Sequence, residues 1–527
     1  MSKQPNFVFI ITDQQRADYL SCTGHPVLKT PNIDKIAQNG TIFNRFHVAN
    51  PVCMPNRACL LTGRHSSVNG VRMNGNDLPM HMATFPQALN AHGYDTALIG
   101  KSHVQTFTDI PAPIGKNPRG KGPLTNAIDI GDEAQYLQED KQEWKDKGRA
   151  ALQTPFYGYD HVDLVTFHGD MTGGAHEVWI REQTDAPDQL DQLRGPENQL
   201  DHDYTCPQAI RTALPEELYS TQYIQNCTTA YLSDPARQEK PFFTFVSFPD
   251  PHHPFTPPGK YWDMYKPEDM PVPDNFDDPP NAPPHLQWVK EQEPAPPTKF
   301  TTMATHMNRR QAQEAMALTC GMIAMIDDAV GEIMQTLEAQ GLADNTILVF
   351  TADHGDYLGD HGLLFKGGLH YQSLIRVPML WCDPRQKQPA VIDELCSTLD
   401  FAPTILAQAG VPAFHGIQGV DISSLLDGSS QTLPRDRLLI EEDTYEVDIL
   451  GFDGQVRERT LLKGQYRISV FQDKDWGEIY DLKADPLEMR NLWDEPEYRE
   501  LRNELMWELL QALMTADDRS PWPKLEA

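Results

Sequence analysis

Four short apolar runs in this 527-residue chain end in polar clusters of the same kind. Residues 6–15, NFVFIITDQQ, end in Asp13 and Gln14, and residues 94–103, YDTALIGKSH, end in Lys101 and His103. Residues 242–255, FFTFVSFPDPHHPF, carry His252 and His253, and residues 346–356, TILVFTADHGD, carry Asp353 and His354. Asp13, Gln14, Asp353 and His354 supply oxygen ligands and one imidazole without a thiolate pair. That donor set suits a hard or borderline divalent cation such as Ca²⁺, Mg²⁺ or Mn²⁺ rather than structural zinc. The plainer alternative makes Asp13 a helix cap and Asp353-His354 an ordinary turn; it accounts for either cluster alone better than for both together.

A second group lies in residues 51–64, PVCMPNRACLLTGR. Cys53 admits three readings: half a disulfide, a metal ligand or a nucleophile. Eight scattered cysteines with no CxxC pair weigh against the first two. Pro55 suits the first turn of a helix, Arg57 follows one turn after Cys53, and Gly63 or Gly70 can end the helix. Cys53 is therefore expected at a helix N-terminus, where unpaired amides and a nearby guanidinium favour an anion. A buried small hydrophobe is the better reading for Cys59 and Cys320.

These clusters need elements to carry them. Continuous rather than alternating apolar runs predict parallel strands buried on both faces, and helical patterns at 31–40, 84–93 and 309–341 lie between them. The alternation predicts a doubly wound α/β domain, in which ligands gather beyond the carboxyl ends of the strands. Residues 108–215, including GKNPRGKGP at 115–123, read as an irregular insertion. Proline-rich residues 249–298 read as an ordered arm rather than helix or strand. The expected organisation is a catalytic domain over residues 1–425 and a smaller α+β unit over 426–527, with an antiparallel sheet and a charged amphipathic helix at 496–516.

A formal net charge of −31 argues against wide contact with nucleic acid or an anionic membrane. The N-terminal apolar run is short for a secretion signal, and no segment has the length of a membrane span, so a cytoplasmic location is expected. The long insertions also offer surfaces for self-association into a homo-oligomer.

CMPNR followed by LLTGR resembles the signature of the sulfatase family, C-x-P-x-R with a downstream L-T-G-R. The likeness extends in order through TDQQRAD, GKSH, DPHHPF, TADHGDYLGDHG, Lys366 before RVP, and EIYDLKADPLEMRNL. It implies an alkaline-phosphatase-like fold, a large mixed and mostly parallel sheet between helices, with a four-stranded C-terminal sheet. It also implies oxidation of Cys53 to Cα-formylglycine by a formylglycine-generating or equivalent enzyme. The hydrated aldehyde would attack the sulfur of a sulfate ester, and the covalent sulfo-enzyme would collapse through the second hydroxyl. By the same likeness, Asp13, Gln14, residue 53, Asp353 and His354 hold one metal ion, Ca²⁺ foremost. Arg57 steadies the diol, and His103 is the base for collapse. Lys101 and Lys366 bind sulfuryl oxygens, His252 serves the leaving oxygen, and Asn74 is a further substrate contact or simply a turn residue.

Most sulfatases begin the metal site with two aspartates; Asp13-Gln14 instead resembles the phosphonate monoester hydrolase and phosphodiesterase branch, whereas GKSH resembles true sulfatases. Arylsulfatase-like hydrolysis of small sulfate esters is the first expectation, and phosphonate monoester or phosphodiester hydrolysis the alternative. A silent binder of sulfated ligands would be expected to lack Cys53, Arg57 or His103, and all three are present.

Overall fold

The computed structural model describes residues 4–108, 131–183, 187–277, 279, 281–386, 388–447, 449–452 and 454–525. The glycine- and lysine-rich stretch 115–123 lies outside them. The central sheet comprises β1 (Asn6–Thr12), β2 (Thr41–Phe43), β3 (Asp95–Gly100), β4 (His161–Thr166), β5 (Gly173–Gly174), β6 (Phe242–Ser247), β7 (Thr346–Ala352), β8 (Met379–Cys382) and β9 (Ala390–Ile392). Their order is β9-β2-β8-β7-β1-β6-β3-β4-β5. Strands β7, β1, β6, β3 and β4 are consecutive and parallel, so the four apolar runs are neighbours. Strand β8 is antiparallel to β7, and β5 to β4, which makes the sheet mixed. Every residue of β1, β6 and β7 is buried, because helices cover both faces.

The principal helices are α1 (Pro31–Gln38), α2 (Cys53–Thr62), α3 (Phe85–Ala91), α4 (Lys141–Lys147), α5 (Ser220–Ser233), α6 (Arg309–Ala339), α7 (Phe401–Ala409) and α8 (Arg499–Thr515). Helices α1, α5 and α6 form one packed group, and α2, α3 and α7 a second. Helix α6 starts with a reciprocal Asn308–Gln311 capping box, which satisfies two otherwise orphaned amides. The whole of α2 is buried, and Gly63 ends it in a left-handed conformation (φ 65°). None of the helices among the described residues is long and apolar enough to cross a membrane.

Two expectations need correction. The supposed insertion 108–215 contains β4 and β5, which belong to the main sheet. Strand β4 lies near the sheet edge with its first residues partly exposed, so it lacks the continuous apolar signal of the central strands. The proline-rich arm also contains a short helix, Pro284–Lys290, entered through Pro283 and Pro284 where a missing N–H costs no bond.

Strands β10 (Arg437–Val447), β11 (Gln455–Lys463), β12 (Tyr466–Phe471) and β13 (Gly477–Asp481) form the C-terminal antiparallel sheet. Helix α8 closes it by packing Leu505, Leu509 and Ala512 against Leu439, Leu461, Ile468 and Ile479. Arg467 is fully buried beneath it, with Nε 2.6 Å from Glu488 Oε1 and Nη2 2.9 Å from Glu478 Oε2. Glu488 also accepts the Gln372 amide N–H at 2.7 Å, so this network ties the small sheet to the large unit. Burial opposes ionisation of Glu478, but Arg467 and His285 hold its carboxyl down at about 2.

Removing one partner of a buried ion pair strands the others, so Arg467→Met is expected to cost about 3–5 kcal/mol. The measurement is denaturant unfolding of variant and parent. Because the Glu478 contribution exists above the ordinary glutamate value of 4.5 and fades toward about 2, the gap should narrow as pH falls through that interval.

Candidate active site

The carboxyl ends of five adjacent strands converge. Just past β1, Asp13 continues the sheet pattern by donating its N–H to Asp250 O at 3.1 Å, and Asp353 N donates to Thr12 O at 3.1 Å. Lys101 N likewise donates to Ser247 O at 2.9 Å. The glycine before it is required: Gly100 has φ 109°, and a Cβ there would lie 1.9 Å from the Ser247 carbonyl oxygen. The backbone thus brings Asp13, Lys101 and Asp353 together before any side-chain contact is considered.

Cys53 is the first residue of α2, and its Sγ is 3.0 Å from Lys366 Nζ, 3.1 Å from His354 Nε2 and 3.6 Å from Asp13 Oδ1. Arg57, one turn on, donates from Nε to Asp353 Oδ2 at 2.7 Å and from Nη1 to Lys101 O and Ser247 Oγ at 3.0 and 2.9 Å. Its Nη2 lies 3.6 Å from Asp13 Oδ2 and is buried without a hydrogen-bond partner. Lys101 Nζ pairs with Asp13 Oδ2 and contacts His168 Nε2 at 2.6 Å. Lys366 Nζ also reaches Gln14 Oε1 at 3.1 Å, His252 Nε2 at 2.9 Å and His354 Nε2 at 3.1 Å.

The titration behaviour follows from this crowding. Burial alone would raise the Asp13 carboxyl, but Lys101, His252, His168 and Arg57 hold it well below the usual carboxylate range. Burial opposes the Lys366 ammonium, yet neighbouring Cys53 and Asp13 keep it charged and its pKa raised. Burial and Asp13 push the Cys53 thiol up, while Lys366, His354 and Lys101 pull it down; the net is a lowered pKa. Burial, together with neighbouring His168 and Lys366, keeps the His252 ring neutral.

The sequence reading placed Asp13, Gln14, Cys53, Arg57, Lys101, His252, Asp353, His354 and Lys366 in one site, and all nine are linked by the contacts above. His103 is nearby but set apart: its ring rests on Phe107 at 4.2 Å and its Nδ1 has no partner. Asn74 Oδ1 accepts the Met54 amide N–H at 3.3 Å, so it caps the start of α2 as well as lining the small cavity beside Lys366. Among the described residues the eight cysteines are all free.

Three residues escaped the sequence reading. His168, two residues past β4, stacks on His252 with ring centroids 3.7 Å apart and planes at 11°. Its signal was a fifth run, HVDLVTFHGD, ending in a polar cluster like the other four. Glu139 is buried and accepts the backbone N–H groups of His103, Val104 and Gln105 at 2.8, 3.0 and 3.0 Å, holding the loop that follows β3. Asp356 accepts from Gln14 Nε2, which also contacts His253 Nδ1 at 3.0 Å. Glu139 reaches its amides across 34–36 residues of chain, and Asp356, although it ends the TILVFTADHGD run, reaches Gln14 across 342, so local sequence reveals neither role.

The residues fit a divalent cation. Ligand atoms of Asp13, Cys53, Asp353 and His354 all lie within 4.8 Å of one another. His354 Nδ1 donates to the Gly355 carbonyl at 2.8 Å, which leaves the Nε2 lone pair facing that cluster. Asp356 and His253 engage the Gln14 amide nitrogen, so its oxygen turns toward Lys366 and the site.

Fold and site together define a hydrolase of the alkaline-phosphatase-like class, in which the carboxylates of Asp13 and Asp353 are interleaved with Arg57 and Lys101. A sulfatase family model matches residues 5–139 and 167–411, and a model for the C-terminal region of N-sulphoglucosamine sulphohydrolase matches 359–515. The chain belongs to the sulfatase family, hydrolases of sulfuric esters. It is 28% identical over 522 residues to an arylsulfatase of Clostridium perfringens, covering 94% of this chain and 92% of that one. It is 28% identical over 540 residues to a multifunctional alkaline phosphatase superfamily protein of Trinickia caryophylli, covering 98% and 96%. The solved phosphonate monoester hydrolase of Agrobacterium radiobacter shares the fold, with a TM-score of 0.76 at 24% identity over 98% of this chain and 97% of that one.

Asp13→Asn removes one carboxylate of the Asp13, Cys53, Asp353 and His354 cluster and the partner of Lys101. Affinity for a divalent cation should fall by at least about 100-fold, read by competition against a chelator with circular dichroism as the folding control.

Proposed function

We propose that the chain hydrolyses sulfate monoesters through residue 53, matured from cysteine to formylglycine, beside a divalent cation held by Asp13, Gln14, Asp353 and His354, with Ca²⁺ the first choice. The observation that carries this reading is the position of Cys53: first in α2, with Sγ within 3.1 Å of both Lys366 Nζ and His354 Nε2. The cation, when bound, would acidify a nearby hydroxyl and withdraw charge from sulfuryl oxygens. Formylglycine would supply, as its hydrate, an oxygen nucleophile and a second hydroxyl from which sulfate is released.

The chain's own groups do the rest. Arg57, pinned by Asp353, Lys101 O and Ser247 Oγ, keeps its free Nη2 in the site, where it can face an oxygen on residue 53. Lys101 and Lys366 offer two ammonium groups to sulfuryl oxygens, which reach them preorganised and without a water shell. His252 donates its Nδ1–H to the His253 carbonyl, leaving Nε2 turned to Lys366. A bound anion favours the protonated ring, so His252 gains with the substrate the proton it can share with the leaving oxygen. His103, neutral because of burial and Lys101, is the candidate base for releasing sulfate.

The Clostridium relative named above directs attention first to aryl sulfates. One observation favours a second reading, phosphonate monoester or phosphodiester hydrolysis: Gln14 puts a neutral amide where a second carboxylate would add negative charge. A monoanionic sulfate ester and a monoanionic phosphonate ester present similar oxygen triads to the same cations.

Three measurements test the proposal. Mass spectrometry of the peptide spanning residues 45–64 should show the thiol replaced by an aldehyde oxygen, and Cys53→Ala should lower kcat/KM by about 1,000-fold or more. Turnover of 4-nitrophenyl sulfate should exceed that of 4-nitrophenyl phenylphosphonate. An unmodified cysteine in fully active protein would sink the mechanism, and the reverse substrate order would favour the second reading.

A further inference from the structure

His168 belongs to none of the motifs that carry the family likeness, yet it touches two of the residues assigned to the substrate. It leaves the end of β4 through Phe167, whose positive φ of 64° is unusual for a bulky residue and turns the chain toward the site. Its ring lies flat on His252, 3.7 Å away at 11°, and His252 is sandwiched from the other side by His253 at 4.1 Å and 28°. Its Nε2 is 2.6 Å from Lys101 Nζ and 3.7 Å from Asp13 Oδ2. A lysine ammonium carries donors and no acceptor, so in the 2.6 Å contact the His168 Nε2 lone pair accepts from Lys101.

We infer that His168 is a positioning residue for both halves of the displacement. Its ring face fixes the plane of His252, which serves the leaving oxygen, and its Nε2 lone pair aims Lys101 at the sulfuryl group. The inference rests on the sulfatase reading above. The two contacts use different parts of one side chain: the stack needs a flat ring, and the acceptor needs a lone pair. They are therefore separable by substitution.

Asp13, His168 and His252 also have ligand atoms within 4.8 Å of one another, the arrangement of a second cation site. Lys101 Nζ is in hydrogen-bonding contact with both Asp13 and His168, so an ammonium already supplies the positive charge there. This favours positioning over metal ligation.

The test uses the full-length, matured and metal-loaded protein with Ala, Phe and Gln at position 168. Each is assayed against sulfate esters whose leaving groups span good phenols to poor alkanols, with metal content and thermal midpoint recorded. His168→Ala should lose about 10–100-fold in kcat, the range for removing an outer residue that orients a working group. Its loss should grow as the leaving group worsens, because His252 then wanders. His168→Phe keeps the stack, and is expected to retain the parental leaving-group dependence while raising KM. His168→Gln keeps an acceptor, and is expected to retain KM while steepening the leaving-group dependence. Equal losses in all three variants with an unchanged leaving-group slope would overturn the inference, as would the departure of a second metal equivalent in each. A parent inert toward every ester defeats the functional reading and this inference with it; an active parent that all three variants match defeats the inference alone.

Discussion

Asp13 is where the charges of this protein meet. One carboxylate oxygen faces Cys53 and His354, and the other faces Lys101, Arg57 and His168, all without exposure to solvent at Asp13 itself. Ionised groups buried this deeply carry a desolvation penalty of several kcal/mol each, which only close and well-aligned partners offset. The site is arranged accordingly. Arg57, Lys101 and Lys366 outnumber the carboxylates of Asp13 and Asp353, and a divalent cation would add to that excess. In a chain of net charge −31, this is a local reversal of sign, and an anionic ester is the kind of ligand it would attract.

Such a centre has to be held by backbone as well as side chains. Strands β1, β7, β6, β3 and β4 deliver their polar residues at one edge of the sheet, where the hydrogen-bond ladder continues for one more rung through Asp13, Lys101 and Asp353. The fully buried α2 then presents Cys53 as its first residue, with the next amide, that of Met54, capped by Asn74. Glu139 grips three successive amides after Lys101 and Ser102, so even the loop bearing His103 is fixed by a buried acceptor. Precision at the reacting atoms is thus inherited from strands and a helix rather than from mobile loops.

The C-terminal sheet contributes more than a cover. Glu442 accepts the Gly368 amide N–H at 3.0 and 3.1 Å, two residues from Lys366, and Asp443 and Thr444 line the same small cavity as Lys366 and Asn74. Glu441 holds Ser66 and Ser67 just beyond α2. Strand β10 therefore buttresses two elements that bear site residues, and the Arg467 network anchors the sheet that carries it.

Much of this was legible in the chain. Continuous apolar runs fix parallel buried strands by the need to bury both faces, and the residues after each run fix a donor set and a cation set by their chemistry alone. Cys53, Pro55 and Arg57 specify a helix start with an anion-favouring end. What local sequence could not reveal was which distant groups meet. Strand β4 was hidden because a strand next to the sheet edge, with its first residues partly exposed, does not need a continuous apolar run, and with it His168 was missed. The roles of Glu139 and Asp356 were invisible because the site segments they hold, residues 103–105 and Gln14, are remote from them in the chain. The sequence by itself determined the kinds of chemistry available. Tertiary structure alone decided that Asp13 would be shared by Cys53 and His354 on one side and Lys101, Arg57 and His168 on the other, because only the strand order places those residues close together, and electrostatic coupling depends on distance rather than on residue type.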